Sequence, residues 1–197
     1  MADEHSPDNV IPRTVRLFSW QPNRNTVRWD SEPYDDDGEG LILYDGSDRD
    51  PELAVNLEVP RRGKITDFLY SPLLLLFVSD RARALIQTFR TEGTAAHRLV
   101  LRDRKGAVVD DTYWWLNCRV LADVMDEDKS GVSYRTPHSI RGVESFVVNA
   151  DAVPRDDLFM CRHPTIRIFK EPLVTAIEKA RLTGCVFQPL EGLRWPV

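Results

Sequence analysis

The chain has 197 residues, a net charge of −5, and a composition of 42% hydrophobic and 29% charged residues. That balance excludes collagen-like, low-complexity and wholly disordered classes and allows one core without disulfide or metal staples. The longest apolar run, Pro72 to Val78, is far shorter than the ~20 residues that span a bilayer, and the acidic N-terminus does not read as a secretory signal, so a cytoplasmic protein without a membrane partner is expected.

Residues 1–12 have no periodicity and contain Pro7 and Pro12, as a frayed tail does. Val15 to Trp20 alternates apolar and polar residues as a strand, and Thr26 to Trp29 is expected to pair with it across Pro22-Asn23-Arg24-Asn25. The most acidic stretch follows: Asp30, Glu32, Asp35, Asp36, Asp37 and Glu39 place six carboxylates in ten residues, with Trp29 and Tyr34 interleaved. Such a segment repels phosphate backbones, which argues against nucleic acid as a ligand, and attracts a basic protein surface. A solvated loop that serves solubility is the alternative. Leu41 to Tyr44 reads as a short strand, and Leu53, Val55 and Leu57 alternate as an edge strand. Residues 1–67 hold 15 acids and 8 bases against 16 and 18 in the remainder. We therefore expect an acidic, β-rich N-terminal region over 1–67 and an α+β domain over 68–197.

From Leu73 to Val78 an apolar strand ends at Ser79, a good N-cap, with Asp80 in the first turn of the helix that follows. Ala82, Leu85, Ile86 and Phe89 recur at helical spacing, and Gly93 is expected to close that helix. His97 to Leu101 is strand-like. Arg104-Lys105-Gly106 reads as a hairpin turn into Val108 and then Tyr113 to Val120, a strand of aromatic and branched residues. Trp114 and Trp115 are neighbours there, so one should enter the core while the other faces solvent or a partner. We take Trp115 as the partner-facing one. A second unit of the same kind closes the chain: Ile166 to Phe169, a helix from Pro172 to about Arg181 with Leu173, Ala176, Ile177 and Ala180 as its stripe, Gly184 with positive φ as its cap, then Cys185 to Phe187. Ala82 with Leu173, Ile86 with Ile177 and Gly93 with Gly184 share an offset of 91. A duplicated strand-helix-strand unit and two unrelated helices on one sheet both satisfy this spacing. Either way the fold is α+β, a mostly antiparallel sheet packed by two amphipathic helices.

No complete catalytic or metal motif emerges. Asp126, Asp128, Ser130 and Gly131 imitate the opening of a calcium loop, but Pro137 stands where a bidentate Glu is required. Cys118, Cys161 and Cys185 with His163 lack the close pairs of a zinc site, and their odd number fits reduced thiols. Asp110-Asp111 and Asp156-Asp157 are adjacent pairs in turn settings, and no Gly-x-Ser-x-Gly elbow is present. Neither cofactor nor metal is expected.

The stretch from about Leu76 to Leu190 resembles the immunity proteins of bacterial polymorphic toxin systems, a family first catalogued as a domain of unknown function and typified by myxobacterial members. The likeness is carried by Ala176-Ile177-Glu178-Lys179-Ala180-Arg181-Leu182-Thr183-Gly184 with Phe187, Pro189 and Leu190, by Phe77-Val78-Ser79, Tyr113, Leu116-Asn117, Asp126 with Ser130, and Leu158-Phe159. Lys170 departs from the family's usual capping serine at the second helix. The resemblance implies a non-enzymatic protein, made beside a toxin or effector, that neutralises it by direct binding. An enzyme of unknown reaction and a structural adaptor in a secretion or developmental pathway are the rivals. Partner specificity is expected in the N-terminal third, with Trp29, Asp30, Glu32, Tyr34, Asp35, Asp36, Asp37 and Glu39, together with Trp115, as the contact residues.

Overall fold

The structure is a computed structural model that describes residues 16–22, 65–69, 75–103, 105, 107–136, 139–162 and 166–194. Its strands are β1 (Leu17–Pro22), β2 (Phe68–Leu69), β3 (Leu76–Ser79), β4 (Thr94–Arg102), β5 (Val108–Cys118), β6 (Leu121–Ala122), β7 (Val132–Thr136), β8 (Ser139–Val143), β9 (Leu158–Cys161), β10 (Ile166–Lys170) and β11 (Cys185–Pro189). The helices are α1 (Asp80–Ile86), α2 (Glu127–Ser130) and α3 (Glu171–Lys179). The fold is α+β. A five-stranded sheet has the order β11-β1-β10-β9-β6, a four-stranded sheet the order β2-β3-β5-β4, and β7-β8 form a separate hairpin. Every pairing is antiparallel except β6 with β9.

The helical stripes read in the sequence pack in part: Ala82 and Ile86, and Leu173 and Ile177, are buried, but Ala180 is exposed and Val174, outside the expected stripe, is buried. Ala82 and Ile86 of α1 and Leu173, Val174 and Ile177 of α3 are buried in one cluster with Leu76, Val78 and Leu116 of one sheet and Leu158, Met160 and Phe169 of the other. A second cluster fills the opposite face of the five-stranded sheet, with Leu17, Phe159, Cys161, Ile166 and Ile168 meeting Val124, Met125, Phe146 and Leu190. Strands β9 and β10 are buried on both faces; β9 is accordingly a continuous apolar run, whereas β10 carries the buried Arg167 and Lys170.

The two strand-helix-strand units share a topology. β3 and β4, joined through α1, both pair with β5 between them; β10 and β11, joined through α3, both pair with β1 between them. The first unit takes its central strand from the hairpin that follows, where Asp103 N–H donates to the Ala107 carbonyl at 2.9 Å. The second takes it from the N-terminal side of the chain. β1 is thus paired on both sides by strands from the C-terminal part of the chain. Thr26 to Trp29, Leu41 to Tyr44 and Leu53 to Leu57 lie outside the described residues.

Asp67 clasps the two units together. Its carboxylate accepts from Ser79 Oγ at 2.9 Å, from Arg81 Nη2 at 2.8 Å and from the Thr183 amide at 2.8 Å. Ser79 Oγ in turn accepts from the Ala82 amide and so caps α1. One carboxylate thus fixes the N-terminus of α1 against the turn that follows α3.

Helix ends differ from expectation in an instructive way. α1 stops at Ile86, and Gly93 does not cap it; a Cβ there would lie 2.1 Å from Val120 Cγ2, so close approach of the β5–β6 connection is what requires glycine. α3 closes in a Schellman motif in which Leu182 N–H reaches the Ile177 carbonyl and Arg181 N–H that of Glu178. The left-handed residue is Arg181, with φ 54°. Gly184 also has positive φ, 90°, as expected, but it serves the turn into β11 rather than the cap. Lys170, at the N-cap of α3, makes no capping bond and sends Nζ to the Arg155 carbonyl at 2.9 Å; burial pulls the ammonium below its ordinary value.

Candidate partner-binding surface

Strand alternation puts Trp114 and Trp115 on opposite faces of the four-stranded sheet, and the choice between them is the reverse of the expectation. Trp115 is 1% exposed, paired in register with Phe77 and His97, its ring centroid 4.9 Å from that of His97. It is interior and presents no surface to a partner. Phe77, Leu99 and Tyr113 are buried with it, so this sheet is apolar on both faces and β3 and β5 lack the polar alternation that would have told the two indoles apart. Tyr113 donates its hydroxyl to the Thr66 carbonyl at 2.6 Å, and burial, reinforced by Asp110 and Asp67, raises its pKa.

Trp114 is the half-exposed one. Arg98 lies opposite it in the β4–β5 register, its guanidinium 5.3 Å from the ring centroid. Arg83 of α1 sits closer, at 3.9 Å. The indole N–H donates to the Asp80 carboxylate, which also faces the Arg83 guanidinium at 3.8 Å. The sequence builds this cluster through the Ser79 cap. By starting α1 directly at the end of β3, it sets Asp80 and Arg83, one turn apart on the same helix face, over the neighbouring strand. A cationic group over an indole is a favourable electrostatic contact, stronger as it is desolvated. The two guanidiniums suit the arrangement to an anionic or aromatic group.

The remaining contact residues expected from the sequence, Trp29, Asp30, Glu32, Tyr34, Asp35, Asp36, Asp37 and Glu39, lie outside the described residues.

The chemical candidates resolve into structural roles. Asp126 caps α2, its carboxylate accepting from the Lys129 amide at 3.2 Å and from Lys129 Nζ at 2.5 Å, and Gly131 ends that turn at φ 63°. The calcium-like spacing is therefore that of a capped one-turn helix. Asp156 accepts from the Gly93 amide, Asp157 from that of Arg90, and Asp110 from Thr112. Cys118 and Cys161 belong to different core clusters, so the two thiols point into separate interiors. Burial raises the Cys118 pKa and pushes that of Cys185 to about 12, which makes both poor nucleophiles. Among the described residues no three His, Cys, Asp or Glu side chains are grouped to hold a metal, and no helix is long and apolar enough to cross a membrane.

Comparison with known proteins supplies the remaining finding. A search of curated proteins returns no match. Residues 19–192 match the model of the Imm11 immunity protein family, a span that reaches every strand and helix of the described residues, and the chain belongs to that family.

Proposed function

We propose that this Imm11 protein neutralises a cognate bacterial toxin or effector in the cytoplasm by direct protein–protein binding, with no turnover of its own. The observation that carries the reading is the family match across both sheets. It is supported by Asp110, Asp156 and Asp157, which accept from backbone amides, and by Cys118 and Cys161, whose thiols lie buried.

The acidic segment is the proposed recognition element. Asp30, Glu32, Asp35, Asp36, Asp37 and Glu39 steer a basic partner, while Trp29 and Tyr34 supply desolvated anchors. Co-expression with the toxin-like product of the adjacent gene tests the reading: the wild type should rescue growth. In binding kinetics, Asp35, Asp36 and Asp37 replaced by Asn should slow association most at low salt, while Trp29→Ala or Tyr34→Ala should speed dissociation. Rates unchanged in all these variants at two ionic strengths would remove the segment from recognition.

A further inference from the structure

Four strands end the two large sheets, and they differ in how much they leave for an added strand. At β2 the Phe68 amide donates to the Thr183 carbonyl at 2.9 Å. β6 is two residues long. At β11 the Leu190 amide bonds the Leu17 carbonyl, which fixes the outward-facing positions of that strand as Cys185, Phe187 and Pro189; Pro189 has no N–H to offer an added strand, which limits the open stretch to Cys185 and Phe187. These are the usual ways in which proteins blunt an edge.

β4 is different. It is nine residues long and its pairing with β5 is regular from Thr94 to Leu99, with register shifts only beyond. The Arg119 amide bonds the Gly93 carbonyl, so in this register Ala95, His97 and Leu99 turn their backbone groups toward β5, while Ala96 and Arg98 turn theirs outward. Among the described residues no hydrogen bond engages those outward groups. Beside them lies the Trp114 cluster, in which the Arg83 and Arg98 guanidiniums both approach the indole ring and the Asp80 carboxylate faces Arg83. Arg98 is exposed and has no ion-pair partner among the described residues.

We infer that the β4 edge at Ala96 and Arg98 receives an extended, acidic strand of the protein partner, hydrogen-bonded to the outward backbone groups and with a carboxylate against Arg98 beside Trp114. Main-chain pairing supplies affinity in this mode of recognition and side-chain pairing supplies register. A second copy of this chain fits less well, because two-fold pairing of β4 with itself brings Arg98 near its own counterpart, and like charges across a strand pair repel. The inference rests on the toxin-binding reading above and adds a surface to it. With an acidic segment and a basic edge on one molecule, charges of both signs fix the orientation of the partner.

Two variants test it against the toxin-like product of the adjacent gene. Ala96→Pro removes one outward N–H and leaves the β4–β5 ladder, carried by Ala95 and His97, in place. Arg98→Glu reverses the charge. Both should keep the wild-type melting temperature and weaken binding by about tenfold or more, the loss in Arg98→Glu shrinking as salt is raised. Should Ala96→Pro melt early, Arg98→Glu decides alone. Wild-type affinity in the folded variants, with the wild type itself binding, overturns the β4 assignment and leaves the immunity reading intact. A dimer that is lost in Ala96→Pro while toxin binding persists also overturns it, giving the edge to a second copy. No binding by the wild type overturns the immunity reading and this surface with it.

Discussion

Arg181 and Gly184 both hold the backbone at positive φ, and the residue type at each position fixes the sign of a mutation. Arg181 takes the left-handed place that glycine usually fills at the end of a helix, with its side chain exposed. Arg181→Gly should therefore stabilise the protein, by on the order of 0.5–1 kcal/mol once the extra freedom of glycine in the unfolded chain is subtracted. Gly184 is the reverse case. A Cβ there would stand 2.2 Å from the Phe68 carbonyl oxygen and 2.3 Å from Thr66 Oγ1, so Gly184→Val should cost about 1 kcal/mol or more. Chemical denaturation of both variants checks the pair, and shifts of the same sign would contradict the assignment. The glycine was legible in the sequence as a residue of positive φ. Arg181 was not, because no residue type announces that the Ile177 and Glu178 carbonyls will pull the chain into a left-handed turn before any glycine is reached. The parity of Trp114 and Trp115 was illegible for a related reason: burial of both sheet faces erases polar alternation.

Among the elements, the helices were readable and the strand partners were not. The stripes of Ala82 with Ile86 and Leu173 with Ile177 depend on neighbours three and four residues apart, and all four side chains are at most 1% exposed. The pairing of β1 with β10 and β11 joins segments roughly 150 to 170 residues apart in sequence, a choice made by the whole core rather than by any local signal. Asp67 likewise joins distant parts, the start of α1 and the turn after α3. Burial alone would raise its pKa, but hydrogen bonds from Arg81, Thr183 and Ser79 outweigh that and hold it below its ordinary value of 3.8. A carboxyl depressed in the folded state stabilises the protein above the unfolded pKa, and that contribution is lost as pH falls through the folded value. Asp67→Asn should thus lower stability by about 1–3 kcal/mol at neutral pH and narrow its gap to the wild type below about pH 4. Urea unfolding across pH 2–7 measures this, and a gap that stays constant with pH would contradict the clasp.

At the scale of the molecule, the fold class and the family were legible because composition, helical stripes and the ending from Ala176 to Gly184 survive in one dimension. Of the partner surface we propose, only the acidic segment could be drawn from the sequence, where charge is continuous along the chain. The cluster of Asp80, Arg83, Arg98 and Trp114 draws on three separate elements, and only the cap at Ser79 and the β4–β5 register assemble it. Binding and turnover make opposite demands on stoichiometry, and that difference tests the central claim most directly. A toxin against which this protein rescues growth, held at fixed concentration, should be titrated with this protein while the toxin's own activity is followed. The account predicts that activity falls linearly to zero at a fixed molar ratio and does not depend on the time of preincubation. Complete, time-dependent loss of toxin activity at a small fraction of that ratio would mean that the protein acts as a catalyst, and would contradict neutralisation by binding.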